Sequence, residues 1–307
     1  MNSLLDYLNH PVRIARFAAV AVIPFLACPQ AKAALLAYES FDYATGSQLR
    51  DQNGGTGFAD VWYDDSSPGN EDTIAGGSLS YSGLTTAGNS LRMISPSDTL
   101  SGNDIRPMDP VPGTAGTSTW VSFLFALDGA SAPLMSTSWG ALTVFPSWDI
   151  SYGPFFGIYD DPDGAPGDKV IGIGSTPLAP LALTDISFVP GQTYFLVAKI
   201  NWNGDAAAET VSLYVNPTLG SAPTTPDAVT SDLYLAESGI FGGTNGLLGV
   251  AMFAGDEGTD WLFDEIRIGT TALDVMVAVP EPAGAGLVLL AGTLFWCRRY
   301  RVKACDW

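Results

Sequence analysis

From Ala34 to about Leu273, short runs rich in Val, Ile, Phe, Tyr, Trp and Thr recur, each bounded by Gly, Pro, Asn, Asp or Ser, and no long helical period with caps interrupts them. β-branched and aromatic residues suit a pleated, half-buried surface, whereas the bounding residues favour turns, so each run reads as a strand. The spacing predicts strands over Ser90–Ser95, Trp120–Leu127, Ala141–Phe145, Phe155–Tyr159, Lys169–Gly174 and Thr193–Trp202. Further strands are expected over Thr210–Val215, Leu247–Phe253 and Trp261–Gly269, with short ones near Leu36–Tyr38 and Ser78–Ser82. Many short strands without intervening helices imply an all-β sandwich or barrel, here of roughly ten to twelve strands. In Thr210–Val215, Val211, Leu213 and Val215 alternate with Ser212 and Tyr214. In Trp261–Ile268 strict alternation places Leu262, Asp264, Ile266 and Ile268 on one face, and Phe263, Glu265 and Arg267 on the other. The stretch Ala222–Thr230, with Pro223 and Pro226, reads as a loop within one domain. The expected organisation is thus residues 1–33, a β body over 34–273, and a tail over 274–307.

Charge and residue usage exclude more chemistry than they suggest. Only six of the 13 Lys+Arg but 30 of the 32 Asp+Glu lie between Ala34 and Pro282, which leaves that stretch near −24. Such a surface repels nucleic acid and anionic membranes. The three cysteines (Cys28, Cys297, Cys305) and the one histidine (His10) all fall outside the body. This removes Ser-His-Asp and Cys-His catalysis, His/Cys zinc sites and a disulfide framework from it.

Both ends carry address-like patterns. Arg13 and Arg16 precede an apolar run from Phe17 to Ala27, and Ala31-Lys32-Ala33 supplies a small-x-small step before Ala34. That is the order of a secretory signal peptide, with cleavage expected between Ala33 and Ala34. Leu26-Ala27-Cys28 admits a lipoprotein reading, against which Phe25 is a poor first residue. At the other end, Val279-Pro280-Glu281-Pro282 is followed by an apolar stretch and then by Arg298-Arg299-Tyr300-Arg301. An apolar helix over about 283–297 is short for a ~30 Å hydrocarbon core, but flanking Trp296 and the arginines can settle in the interface. Arginines after the apolar run favour a cytoplasmic C-terminus and an exported body. A plain single-pass anchor satisfies these features. The order Pro-Glu-Pro, short apolar helix, Arg cluster also resembles the PEP-CTERM sorting tail, carried by Val279, Pro280, Glu281, Pro282, Arg298, Arg299 and Arg301. The resemblance implies that an exosortase-type membrane protease recognises the tail and moves the protein to the cell surface or outside.

The body has a second resemblance. Glu39-Ser-Phe-Asp-Tyr43, Val197–Trp202 with Val211–Pro217, and Phe263-Asp-Glu-Ile-Arg-Ile-Gly269 are similar, in that order, to landmarks of concanavalin A-like (laminin G-like) jelly rolls. The resemblance implies a jelly-roll sandwich, a scaffold that serves as a carbohydrate- or protein-binding module and also carries glycosidases, so fold alone does not choose the function.

Three chemistries remain open to the body. The Glu-x-Asp-x-x-Glu spacing of jelly-roll glycosidases is absent, and Asp264 and Glu265 as strand neighbours are expected to face opposite sides, so no catalytic residue is assigned. Asp160, Asp161, Asp163 and Asp168 crowd into nine residues and could supply oxygens to calcium, although the spacing is not that of an EF-hand; a polar hairpin turn explains them equally. Asp64-Asp65 with Glu71-Asp72 is a weaker version of the same pattern. Trp62, Trp139, Trp148 and Trp202, with Tyr63 and Tyr152, lie beside turns where an exposed ring could stack on a sugar; packing at the rim of the core is the alternative. The expectation is a non-enzymatic surface or matrix protein that binds extracellular polysaccharide with help from calcium. A polysaccharide-active hydrolase or lyase and a purely structural surface protein stand beside it.

Overall fold

The computed structural model describes residues 35–64, 72–94, 102–129, 134–135, 137–146, 153–203, 209–233, 246–255 and 259–277. They form fifteen strands and one short helix: β1 (Leu35–Glu39), β2 (Tyr63–Asp64), β3 (Thr73–Ala75), β4 (Ser90–Ile94), β5 (Gly102–Pro112), β6 (Ser118–Leu127), β7 (Trp139–Phe145) and β8 (Phe155–Asp160). There follow β9 (Lys169–Thr176), β10 (Ala179–Ser187), β11 (Tyr194–Asn201), β12 (Glu209–Val215), β13 (Ala228–Leu233), β14 (Gly246–Gly255), β15 (Asp260–Gly269) and α1 (Ala272–Val275). Two antiparallel sheets result. One runs β13-β12-β11-β6-β15-β4-β3, with β1 also paired to β15; the other runs β10-β9-β8-β7-β14-β5-β2. Together they make a β-sandwich.

Period-two patterning builds the core between the sheets. Val121, Phe123, Phe125 and Leu127 of β6 meet Leu142 and Val144 of β7, Ile171 and Ile173 of β9, and Val250 and Met252 of β14. The remaining side chains of β6 are not released to water. Trp120 and Leu124 join Phe195, Val197 and Tyr214 on the outer face, where Leu84, Val275 and Met276 cover them. This double burial explains why β6 reads as a continuous apolar run. Packing therefore continues past Leu273 to Met276. Thr271 and Asp274 form a reciprocal cap on α1, and Ser122 Oγ donates to the Val275 carbonyl at 2.8 Å.

The strands that sequence patterning missed are informative. β5 contains Pro107, Pro110 and Pro112, which argue against a strand. They are tolerated because β2 pairs β5 only at Asp104 and Ile105; beyond that the partner is an isolated bridge of Phe58 with Met108, which uses the Pro107 carbonyl and the Asp109 amide, and on the other side the register shifts facing Leu247/Gly249. β13 overlaps the segment expected to be a loop, and Ala228–Thr230 pair with Val211–Leu213. Ser78–Ser82, expected to be a strand, is instead a strap across the outer face of the first sheet: Tyr81 packs on Phe195 and the Leu79 amide is held by Asp264.

Strict alternation also fails in β15. Trp261, Phe263, Ile266 and Ile268 all face the core, because the pairing with β6 shifts register between Asp264 and Arg267. Glu265 occupies the left-handed region at φ 53°, where a bulge inserts the extra residue and reverses the parity of everything after it.

Candidate functional site

The bulge in β15 overturns the expectation that Asp264 and Glu265 face opposite sides. Both carboxylates are turned outward under the strap and are fully buried. Asp264 accepts from the amides of Leu79 (2.7 Å) and Glu265 (2.7 Å) and from the Ser78 hydroxyl. Glu265 accepts from the Ala87 amide and Tyr38 hydroxyl and is paired with Arg267, which also donates to the Thr85 carbonyl. Burial pushes Asp264 up to about 8, against the lowering effect of Ser78, while the charge of Glu265 adds to the rise. Burial likewise raises Glu265, opposed by the charge of Arg267. Side chains whose oxygens hold the backbone of residues 78–87 are fasteners; neither carboxylate borders a cleft.

The four aspartates of the β8–β9 hairpin are not brought together as a cation site. Asp160 binds Lys169 Nζ at 2.6 Å. Asp161 accepts from the Asp163 amide at 3.0 Å, and Asp168 accepts from the Ala165 amide at 2.8 Å. The Asp161 amide reaches the Asp168 carbonyl at 3.0 Å, closing the loop. The carboxylates thus cap their own turn, which short polar side chains do wherever backbone donors lack a ladder partner. Among the described residues no group of three or more His, Cys, Asp or Glu side chains could hold a metal ion. The residues present do not fit calcium.

Among the aromatic candidates, Trp62 and Trp202 are 0% and 1% exposed and present no ring to solvent. Trp62 stacks on Phe41, and its Nε1 donates to Glu39 Oε2 at 3.1 Å. Glu39 in turn pairs with Arg106, whose guanidinium lies 4.2 Å from the Phe58 ring centroid. Tyr43 joins the same cluster at 2.8 Å from Glu39, and burial followed by the Glu39 charge pushes its phenol up to about 12. Trp202 donates to Thr119 Oγ1 at 2.9 Å and presses against Gly113. Both are core tryptophans because an acceptor inside the sandwich satisfies each indole N–H. Tyr63 is exposed and tied to Asp60 at 2.6 Å. Trp148 and Tyr152 lie outside the described residues, as do Ala31, Ala33, Ala34 and every residue of the tail motif from Val279 to Arg301. Among the described residues no helix is long and apolar enough to cross a membrane, and the 283–297 stretch is not among them.

Trp139 is different. It opens β7 on the face of the second sheet that points away from the core, opposite Gly255 of β14. A Cβ at position 255 would overlap the indole, so the ring packs against bare backbone. Tyr159 of β8 repeats the device on Gly172 and Gly174 of β9, and its hydroxyl donates to the Phe155 carbonyl at 3.1 Å. Burial raises this phenol far above its ordinary range. The two rings line a cleft of about 270 Å³, walled by Pro177, Leu178 and Pro180 from the β9–β10 hairpin. The Lys169–Asp160 ion pair also lines it, with Lys169 2% and Asp160 61% exposed. Aromatic surface beside a neutralised ion pair suits a ligand that is uncharged, flat on one side and rich in hydroxyls. Sequence reasoning found Trp139 but not Tyr159 or Lys169. The signal was the alternating Gly172-Ile173-Gly174, a strand face with no side chains on which a neighbouring ring can rest.

The chain matches no protein-family model and no curated protein. Solved structures with a distant likeness include three sugar-related or calreticulin domains. The globular domain of T. cruzi calreticulin is 15% identical over 79% of this chain and 91% of that one, with a TM-score of 0.44. Endo-1,3-β-glucanase from Streptomyces sioyaensis is 12% identical over 78% and 97%, at 0.45. The carbohydrate recognition domain of Emp46p is 8% identical over 69% and 88%, at 0.39.

Proposed function

We propose that this chain is an exported, non-enzymatic surface or matrix protein whose β-sandwich binds neutral stretches of extracellular polysaccharide in the Trp139 cleft. Trp139 carries this reading: its indole packs on Gly255 and lines a cleft, where an aromatic side chain can stack on a pyranose. The address comes from the termini: a signal segment ending at Ala33, and a Pro280-Glu281-Pro282 tail that an exosortase-type protease would process, after membrane anchoring through about 283–297. A hydrolase is disfavoured because Asp264 and Glu265, the one adjacent pair of buried carboxylates in the terminal strand, spend their oxygens on backbone amides.

The test is binding of the purified protein to the host's own extracellular polysaccharide, with released sugars measured in the same samples. Saturable binding that is lost in Trp139→Ala, without release of oligosaccharides, is the expected result. Release would establish an enzyme instead, and binding unaffected by Trp139→Ala would remove the cleft from the function.

A further inference from the structure

A second cleft, of about 460 Å³, lies where β5 turns into β6, away from the Trp139 cleft in its lining residues. One wall is Asp109-Pro110-Val111-Pro112, and the other carries the hydroxyls of Thr117 and Ser118, with Thr270 alongside. Thr114 and Thr119 also line it, and Thr119 Oγ1 accepts from the Trp202 indole. Pro110 and Pro112 bring no N–H to the wall. Thr117 Oγ1 donates its proton to the Thr114 carbonyl at 2.6 Å, Ser118 Oγ to Asn201 Oδ1 at 2.8 Å, and Thr270 Oγ1 to Asp274 Oδ2 at 3.0 Å. These three of the five lining hydroxyls have committed their protons to the protein and retain lone pairs for a ligand. The Asp109 carboxylate is exposed and has no hydrogen-bond or ion-pair partner among the described residues, and no Lys or Arg lines the cleft.

One uncompensated negative charge beside three hydroxyls that can only accept favours a ligand that brings donors to that part of the cleft. A protonated amine is the densest such group, with three N–H bonds and no acceptor, and the strongly acidic body concentrates cations near its surface. The volume lies in the range of small-molecule sites, large enough for one or two sugar rings. We infer that this cleft binds a protonated amino sugar, with the ammonium on Asp109 and ring hydroxyls donating to Thr117, Ser118 and Thr270. The site is independent of the Trp139 cleft, and with both occupied the protein bridges two chemically different stretches of polysaccharide.

The test is calorimetric titration of the purified full-length chain, in detergent micelles, with glucosamine, glucose and glucuronate. Glucosamine is expected to bind saturably and at least about tenfold more tightly than glucose, because a hydrogen bond to a charged group is worth more than a neutral one. Glucuronate should not bind, and glucosamine affinity should fall with added salt. Asp109→Asn, on an exposed side chain, should lower the glucosamine affinity about tenfold without moving the melting temperature, and Thr117→Val should lower it severalfold. Trp139→Ala should leave glucosamine binding intact, which separates this site from the proposed polysaccharide cleft. Equal affinity for glucose and glucosamine, no saturable binding at millimolar ligand, or an Asp109→Asn variant that binds as before would each overturn the inference.

Discussion

Replacing Arg106 by methionine tests whether the Glu39–Arg106 cluster holds the sandwich together. Both side chains are 0% exposed, one from β1 in the first sheet and one from β5 in the second, so the pair ties the two layers through the core. Arg106 also lies over Phe58 and donates to the Gly54 carbonyl at 2.6 Å. Methionine fills much of the same volume but leaves the Glu39 carboxylate buried without its counter-charge. Removing one partner of a buried pair typically costs about 3–5 kcal/mol, because the remaining charge keeps its desolvation penalty. For a domain of this size each kcal/mol moves the melting temperature by about 2–4 °C, so Arg106→Met should melt roughly 6–20 °C lower. The donors that remain on Glu39, from Trp62, Tyr43 and the Phe41 amide, place the expected value toward the lower end. The assay is thermal unfolding followed by near-ultraviolet circular dichroism, with Glu39→Gln/Arg106→Met as the second arm. The introduced glutamine carries no charge to strand, so the double variant should recover a substantial part of the loss. A single variant that melts within about 3 °C of the parent, or a double variant no better than the single one, refutes the account of the cluster as a charge-compensated tie.

Three further outcomes follow from the same geometry. Because burial raises Asp264 from 3.8 to about 8, the folded chain holds that proton more tightly than the unfolded chain; its stabilisation is complete below about pH 4 and is lost as pH rises toward 8. Asp264→Asn should therefore flatten the fall in urea midpoint across that window, and an unchanged slope would show that another group sets it. Calcium and chelator should give the same melting temperature, whereas Asp168→Ala, which frees the Ala165 amide, should cost up to about 1 kcal/mol; a calcium-dependent rise would restore a cation site at the β8–β9 hairpin. Gly255→Ala places a methyl group where the Trp139 ring rests and should abolish polysaccharide binding as completely as Trp139→Ala does; retained binding would show that the flat ring is not required.

The fold class was legible because alternation and turn residues are local signals. The nine longer strands expected from Ser90 to Gly269 all occur, with ends shifted by a few residues. What escaped is decided by neighbours. The prolines of β5 are harmless because the chain before Tyr63 meets them only in the Phe58–Met108 bridge, which asks no N–H of a proline, and β13 exists because Ala228–Thr230 find β12. The β15 bulge could not be read from Asp-Glu-Ile-Arg, since its parity change depends on Glu265 finding the Ala87 amide and Arg267 finding the Thr85 carbonyl on a distant strap. The tryptophans divide for the same reason. Trp62, Trp139 and Trp202 all sit beside turns in the sequence, yet Glu39 and Thr119 draw two of them inward, and only Trp139 faces a glycine on the outer side of a sheet.

The scarcity of basic residues acquires a meaning once their partners are known. Arg92 pairs with Asp128, Arg106 with Glu39, Lys169 with Asp160 and Arg267 with Glu265, while Lys199 lies over the Trp120 ring. Five of the six cations between Ala34 and Pro282 are thus engaged within the chain, against 30 acidic residues. Such a molecule does not gain affinity for a polyanion by long-range attraction. On the reading proposed above, a neutral sugar sits where Lys169 and Asp160 cancel beside Trp139. On the further inference, a cationic sugar sits where Asp109 has no counter-charge among the described residues. The two clefts differ in electrostatics because one lies beside an internal ion pair and the other beside a proline-lined turn with no cation within it, so a partly deacetylated hexosamine polymer, carrying both neutral and protonated units, satisfies both at once.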